Sequence, residues 1–484
     1  MGIRKLKNYI NGSWIDGSGR KIIEVENPAT GDILAQVYTS TRDDVKNAVE
    51  AAKKAFYRWR DVPAVERCRY MFRFCDLMKK NWEELAKDLT REHGKEYPAA
   101  YGEMRRSIEM VEVACGIPSL MKGEYSENVA KGIDEYMIRV PLGVFAVIPP
   151  FNFPAMIAMW FLPWAVATGN TYIVKPAREV PITMQNIFKL IEEAGFPEGV
   201  VNLVHSGEGV NDELLENKDI VGISSVTSTE TARKIYSKAI ANGKRAQCSG
   251  GAINFAIFMP DAELDKAIPN VIESCFGNTG QRCLHNTFII GVGDVYNEVK
   301  EKFVDAASRL KIGYGLDEGV QLTPVVSKTN LDKLHSQIEI CIKEGIKLIK
   351  DGRDIKVEKY PKGYFLGPTI FEEPQIGSYP FREEIFGPVV FLKQAKDLDD
   401  AINIANSVSF GNASTIYTNN GKWAREYRYR IKAGNIGINV GIAAPMAFYQ
   451  FAGMKDSFFG DLHPQANDVI EFFTDKKIII SRWY

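Results

Sequence analysis

Residues 140–174 read VPLGVFAVIPPFNFPAMIAMWFLPWAVATGNTYIV, a run without one charged side chain. It is longer than the roughly 20 apolar residues that cross a bilayer, so the first choice is between a membrane span and a buried core. Pro149, Pro150, Pro154 and Pro163 break up any continuous helix, and the amide of Asn152 lies in the middle of the run. The run is therefore read as a buried strand, a turn and a helix, and no membrane association is expected. Working outward, strand-length apolar runs occur at Gly143 to Ile148, Thr171 to Val174, Val200 to Val204, Ile220 to Ser224 and Asn254 to Phe258. Helix-like segments, such as Met184 to Ala194 and Ser228 to Ala241, separate several of them. Short β-branched strands alternating with helices predict an α/β fold, a parallel sheet covered on both faces. After Pro260 the pattern resumes with a helix over Ala262 to Cys275, a strand over Asn286 to Gly291 and a helix over Tyr296 to Leu310. A second α/β domain is expected there, joined to the first near Gly250, and ligand sites commonly form at such junctions. Alternation over Asp468 to Trp483 predicts a terminal strand that could extend a sheet across a subunit interface.

With 484 residues and 45% hydrophobic content the chain can bury a large core in two or more domains. Its 61 acidic and 60 basic residues leave a net charge of -1, with no basic excess to hold a nucleic-acid backbone, so no nucleic-acid partner is expected. The seven cysteines are scattered and form no CxxC pair, which fits reduced thiols in a cytoplasm. The five histidines are not spaced as zinc ligands, and no metal is expected. Basic residues within Met1 to Lys7 precede no apolar stretch, so no secretory signal is expected.

Gly277-Asn278-Thr279-Gly280-Gln281-Arg282-Cys283 forms a glycine-punctuated loop after a helical run. Glycines let a backbone approach a substrate closely. A thiol there, beside the Arg282 cation, is expected to have a lowered pKa and to act as a nucleophile toward a carbonyl carbon. Three further motifs accompany it: Pro149-Pro150-Phe151-Asn152-Phe153-Pro154, Gly169-Asn170-Thr171 running to Lys175-Pro176, and Glu383-Glu384-Ile385-Phe386-Gly387-Pro388. In order and spacing the four together resemble the aldehyde dehydrogenase superfamily, from Tyr9-Ile10-Asn11-Gly12 to the last residues.

That resemblance implies an aldehyde dehydrogenase-like fold with three parts. These are a Rossmann-like dinucleotide-binding domain (1–121 and 141–250), a catalytic domain (251–441) and a small β oligomerisation segment (122–140 and 462–484). It implies Cys283 as nucleophile, with the Asn152 amide and the Cys283 backbone N–H holding the oxyanion. It implies that Pro149, Phe151, Lys175, Ser228, Glu384 and Phe386 hold a nicotinamide dinucleotide, although the chain has no GxGxxG. Arg178 follows the Lys-Pro motif where a glutamate is usual, and Glu179 comes next. NAD is the leading expectation, with NADP left open by the Arg178 cation. Thr227 stands where the superfamily generally has glycine.

Hydrolytic members carry a glutamate just before a Gly-Gly pair as general base. Here the segment is Gln247-Cys248-Ser249-Gly250-Gly251, and the position falls on Ser249 by spacing from Cys283 or on Cys248 by the glycine pair. Lacking that base, the chain is similar to the methylmalonate-semialdehyde dehydrogenase branch, as are Val140-Pro141-Leu142-Gly143-Val144, Met259-Pro260-Asp261-Ala262 and Ser481-Arg482-Trp483. The likeness implies coenzyme A as acyl acceptor, Arg106 and Arg282 as ligands of a substrate carboxylate, and a homotetramer or homodimer. The alternative is a hydrolytic dehydrogenase for another small aldehyde. Choice between methylated and unmethylated substrate is expected to depend on Phe153, Trp160, Leu284 and His285.

Overall fold

The computed structural model describes residues 3–484. Residues 140–174 are largely buried and built more finely than one strand, turn and helix. Val140 and Pro141 end a preceding strand, Ile133–Pro141; a strand Val144–Ile148 follows, then helices Pro154–Met159 and Leu162–Ala167, then strand Thr171–Val174. The single helix expected there is split in two because Pro163 lies in the first turn of the second helix, where its missing N–H does no harm. No helix among the described residues is long and apolar enough to cross a membrane.

Val144–Ile148 is the centre of an eight-stranded sheet. On one side it pairs in parallel with Thr171–Val174, which pairs with Val201–Leu203; on the other it pairs with Ile220–Val226, which pairs with Arg245–Ser249. The chain thus winds one way from the central strand and then the other, leaving a crevice where the order reverses, beyond the ends of Val144–Ile148 and Ile220–Val226. Open α/β sheets bind ligands at such switch points. Antiparallel strands Asn8–Ile10, Ser13–Ile15 and Phe458–Phe459 close the edges.

A second sheet holds Asn254–Phe258 between Asn286–Val292 and Ala413–Tyr417, and continues through Val389–Ala395, Thr369–Glu372 and Asn435–Ile438 in parallel. One antiparallel strand, Lys347–Lys350, ends it. Helices Leu264–Phe276 and Val295–Ser308 lie within a residue or two of the expected bounds. A third, three-stranded antiparallel sheet joins Glu124–Ala130, Ile133–Pro141 and Thr474–Arg482, with Tyr125, Ile478 and Ile480 exposed. The terminal strand is shorter than the sequence predicts, because Ala466–Phe473 is a helix. Its buried residues Val469, Ile470 and Phe473 follow helical spacing, which the apparent alternation of Ile470 and Phe472 disguised.

Asn170 ties these parts together. Its Oδ1 accepts the N–H groups of Leu142 (2.8 Å) and Gly143 (3.0 Å), and its Nδ2 donates to the Phe473 carbonyl at 2.7 Å. The residue is fully buried, so no water can replace it. Asn170→Ala should destabilise the fold by about 2–4 kcal/mol, read as a lowered thermal midpoint, whereas an unchanged midpoint would mean that the neighbouring strands hold this corner alone.

Candidate active site

Two cavities meet at Cys283, which lines both. One, of about 470 Å³, lies at the switch point of the first sheet and is walled by Pro149, Phe151, Asn152, Lys175, Arg178, Glu179, Thr227, Ser228, Glu384 and Phe386. The other, of about 480 Å³, is lined by Arg105, Arg106, Arg282, Leu284 and an apolar surface that includes Phe153, Met156, Trp160 and Phe451. His285 is buried and lines neither cavity.

Cys283 is half-buried, whereas the other six cysteines are buried. The loop before it makes a left-handed turn, with φ of 54° at Asn278, 55° at Thr279 and 68° at Gly280. For Thr279 that conformation is strained, and its hydroxyl is held by Thr323 at 2.9 Å. Gly280 is required for a further reason: a Cβ there would collide with the Gly387 carbonyl, so the loop before Cys283 packs backbone to backbone on the Glu383–Pro388 motif. The carbonyl of Cys283 is pinned by two amides, Asn254 Nδ2 at 2.8 Å and Asn412 Nδ2 at 2.7 Å. Asn152 donates from Nδ2 to the Gln281 carbonyl at 2.9 Å, which places its amide beside the thiol loop.

The electrostatics differ from the sequence expectation. Burial, followed by the nearby Glu384 carboxylate, pushes the Cys283 thiol up to about 12. The N–H groups of Cys283 and Leu284 and the Arg282 cation act the other way and are outweighed. Arg282 is largely engaged elsewhere, donating to Glu273 Oε1 at 2.9 Å with Glu96 at 3.8 Å. Glu384 accepts the Ala252 N–H at 2.8 Å and is raised to about 7 by burial. Its other oxygen lies against Gly251, where a Cβ would approach to 2.6 Å.

At the cofactor-sized cavity, Lys175 has no hydrogen-bond or ion-pair partner among the described residues, and burial lowers its ammonium to about 8, opposed by Glu179. Helix Thr229–Ala241 starts at this wall. Ser228 occupies its N-cap position without bonding a backbone N–H; its hydroxyl donates to Thr231 at 3.1 Å, which leaves the helix's first N–H groups without a side-chain cap. An unpartnered, half-buried ammonium, an open helix start and a carboxylate in one crevice suit the phosphates and ribose hydroxyls of a dinucleotide. Arg178 and Glu179 share the outer rim. Thr227 turns its side chain toward its own chain, with Oγ1 donating to the Ser228 carbonyl at 3.3 Å. Neither Ser249 nor Cys248 lines either cavity, and Cys248 packs in the core against the helices of the first sheet.

Sequence reasoning assigned no site role to Lys95, Glu96, Glu103, Asn254, Asn278 or Asn412. Lys95 and Glu103 form a fully buried ion pair at 2.8 Å behind Asn152, and Glu96 accepts the Asn278 N–H at 3.1 Å. The only signal available was three charged residues, Lys95, Glu96 and Glu103, in a segment that is otherwise helix-forming.

Fold and site together define a class, and the chain belongs to the aldehyde dehydrogenase family, matching it over residues 14–479. Malonate-semialdehyde dehydrogenase 2 of Geobacillus thermodenitrificans is 46% identical across 99% of both chains. Malonate-semialdehyde dehydrogenase of Halalkalibacterium halodurans is 44% identical over 99% of this chain and 98% of its own. Among solved structures, the methylmalonate-semialdehyde dehydrogenase of Oceanimonas doudoroffii has a TM-score of 0.97 at 37% identity, covering 100% of this chain and 99% of that one. A Sinorhizobium meliloti protein described as a methylmalonate-semialdehyde dehydrogenase complexed with NAD has the same TM-score at 39% identity, with the same coverage.

Burial and the Glu384 carboxylate hold the Cys283 thiol above the usual thiol range, so the thiol form predominates at neutral pH. Iodoacetamide labelling of Cys283, with Cys283→Ala as the blank, should therefore rise about tenfold per pH unit from 7 to 10, and Glu384→Gln should move the profile to lower pH. A plateau by pH 8 would show an activated resting thiol instead.

Proposed function

We propose that the protein oxidises malonate or methylmalonate semialdehyde with NAD and passes the decarboxylated acyl group to coenzyme A. The observation that carries the acyl-transfer part is the absence of a base where hydrolytic relatives keep one: neither Ser249 nor Cys248 faces Cys283 from either cavity. The names of the relatives, at 44% and 46% identity over nearly the whole chain, support the substrate.

The Cys283 thiol gives up its proton to solvent and, as the thiolate, attacks the aldehyde carbon. The Asn152 amide and the Cys283 N–H receive the negative charge that develops on oxygen, and preorganised donors of this kind supply a large share of rate enhancement. NAD, when bound, accepts the hydride that leaves the resulting thiohemiacetal. A thioester on Cys283 remains; its carbonyl takes up the electron pair released as the substrate carboxylate leaves as carbon dioxide, and the carbanion is then protonated. The thiolate of coenzyme A attacks the thioester and frees Cys283, giving acetyl-CoA from the unmethylated substrate and propionyl-CoA from the methylated one.

In this reading Lys175 and Glu179 hold the adenosine ribose, Ser228 and the helix start hold the phosphates, Glu384 holds the nicotinamide-side ribose, and Pro149, Phe151 and Phe386 form the walls. Arg178 on the rim leaves room for a 2′-phosphate, so NADP is a second cofactor to test. Arg106 and Arg282 bind the substrate carboxylate, each exchanging a protein partner for it. The first sheet and its helices form the cofactor domain, the second the catalytic domain, and the exposed three-stranded sheet the contact of a cytoplasmic homotetramer or homodimer.

A hydrolytic reading is favoured by one feature, the Glu384 carboxyl, which titrates near neutrality beside Cys283. Malonate semialdehyde and NAD, with and without coenzyme A, separate the two. Acetyl-CoA should accumulate with sustained NADH formation when coenzyme A is present, and NADH should stop near one equivalent per site when it is absent. Rapid turnover without coenzyme A would establish hydrolysis. Cys283→Ala should lower turnover by more than about a thousandfold, and Asn152→Ala should lower kcat by about 10²–10³.

A further inference from the structure

Three arginines line the substrate-side cavity, and their guanidinium groups are not equally free. Arg282 is buried and held between Glu273 and Glu96. Arg106 donates to Glu109 Oε2 at 2.7 Å and to the Pro445 carbonyl, with the Met446 sulfur at 3.0 Å. It thereby fastens residues 442–446, themselves part of the cavity wall, to helix Tyr97–Ala114. For either residue to bind a substrate, an existing bond must first be given up.

Arg105 is different. It lies in the same cavity wall, is exposed, and has no hydrogen-bond or ion-pair partner among the described residues. Gly102, one helical turn before it, also lines the cavity, and a Cβ there would meet nothing within 4 Å, so the space beside Arg105 is open. The carboxylates of this cavity are already matched: Glu103 pairs with Lys95, and Glu109 with Arg106. The uncompensated charge at its edge is therefore the Arg105 cation. A guanidinium with all its N–H groups unspent is suited to a carboxylate, and an exposed charge acts chiefly on the rate of encounter.

We propose that Arg105 is a specificity-determining residue that captures the carboxylate of an anionic aldehyde at the cavity edge, before Arg106 and Arg282 exchange their protein partners for it. This rests on the acid-bearing substrate proposed above and adds a residue to its recognition. Because the contact precedes the chemistry, it raises kcat/KM and leaves kcat alone, and added salt screens it.

The test compares malonate semialdehyde with propionaldehyde at saturating coenzyme A, at low and high salt, in wild type, Arg105→Gln and Arg105→Lys. Arg105→Gln should lower kcat/KM for malonate semialdehyde about fivefold to tenfold at low salt, lose most of the salt dependence, and leave both kcat and the propionaldehyde constants unchanged. Arg105→Lys should keep most of the wild-type value. Equal losses on both aldehydes, a change confined to the KM of coenzyme A, or no change would each overturn the assignment. A wild type that does not prefer malonate semialdehyde over propionaldehyde would remove the proposed substrate, and the role of Arg105 with it. A wild type that does prefer it, with a neutral Arg105→Gln, would remove the role of Arg105 alone.

Discussion

The ion pair between Lys95 and Glu103, fully buried at 2.8 Å, holds the centre of the molecule in place. Lys95 Nζ also donates to the carbonyl of Asn152 at 2.5 Å and stands over the Phe153 ring at 4.2 Å. Glu103 accepts the N–H groups of Ala155 at 2.9 Å and Met156 at 3.2 Å with its other oxygen. One pair thus grips the backbone at Asn152 and at the helix start that follows it. Burial lowers the Lys95 ammonium's hold on its proton, and the adjacent Glu103 opposes that. Two charges taken out of water cost several kcal/mol each, and an all-apolar replacement of similar volume is often no less stable. What the pair provides is position, because removing either partner strands a buried charge at about 3–5 kcal/mol.

The opposite loop is governed by the same short segment of chain. Glu96 receives the Asn278 N–H, and Asn278 Nδ2 in turn donates to the Gln281 carbonyl at 3.0 Å, the same atom that the Asn152 amide reaches. Residues from two sheets therefore converge on the backbone around Cys283, with Asn254 and Asn412 completing the hold from the second sheet. The sulfur itself is left with few constraints. Its carbonyl, its neighbours and the turn before it are all fixed.

Much of this was legible in the sequence, and the reasons are physical. Apolar runs four to six residues long, separated by amphipathic segments, can only be satisfied by strands covered on both faces, so the α/β fold followed from periodicity. Cys283, Asn152 and Glu384, which line one cavity, lie in three of the four motifs, and the contact of Gly280 with Gly387 gives one physical reason two of those motifs occur together. The charge state of Cys283 was not legible, since adjacency of Arg282 in sequence says nothing about Glu273 and Glu96, which engage that cation in space. Helix Ala466–Phe473 was missed because eight residues give too few turns to distinguish period 3.6 from period 2. The supporting asparagines and the Lys95–Glu103 pair act through backbone atoms far apart in the chain, and no local pattern records that.

The thiol stands where two separate cavities meet. One opens from the crevice of the first sheet and the other between helix Tyr97–Ala114 and residues 442–451. In the proposed reaction, with the dinucleotide in the first cavity and the aldehyde in the second, what enters by one doorway need not leave by it, and one occupant can be exchanged while the other side stays filled. A covalent intermediate on Cys283 would act as the partition between the two passages, so their order of use becomes a property of the architecture as well as of the chemistry.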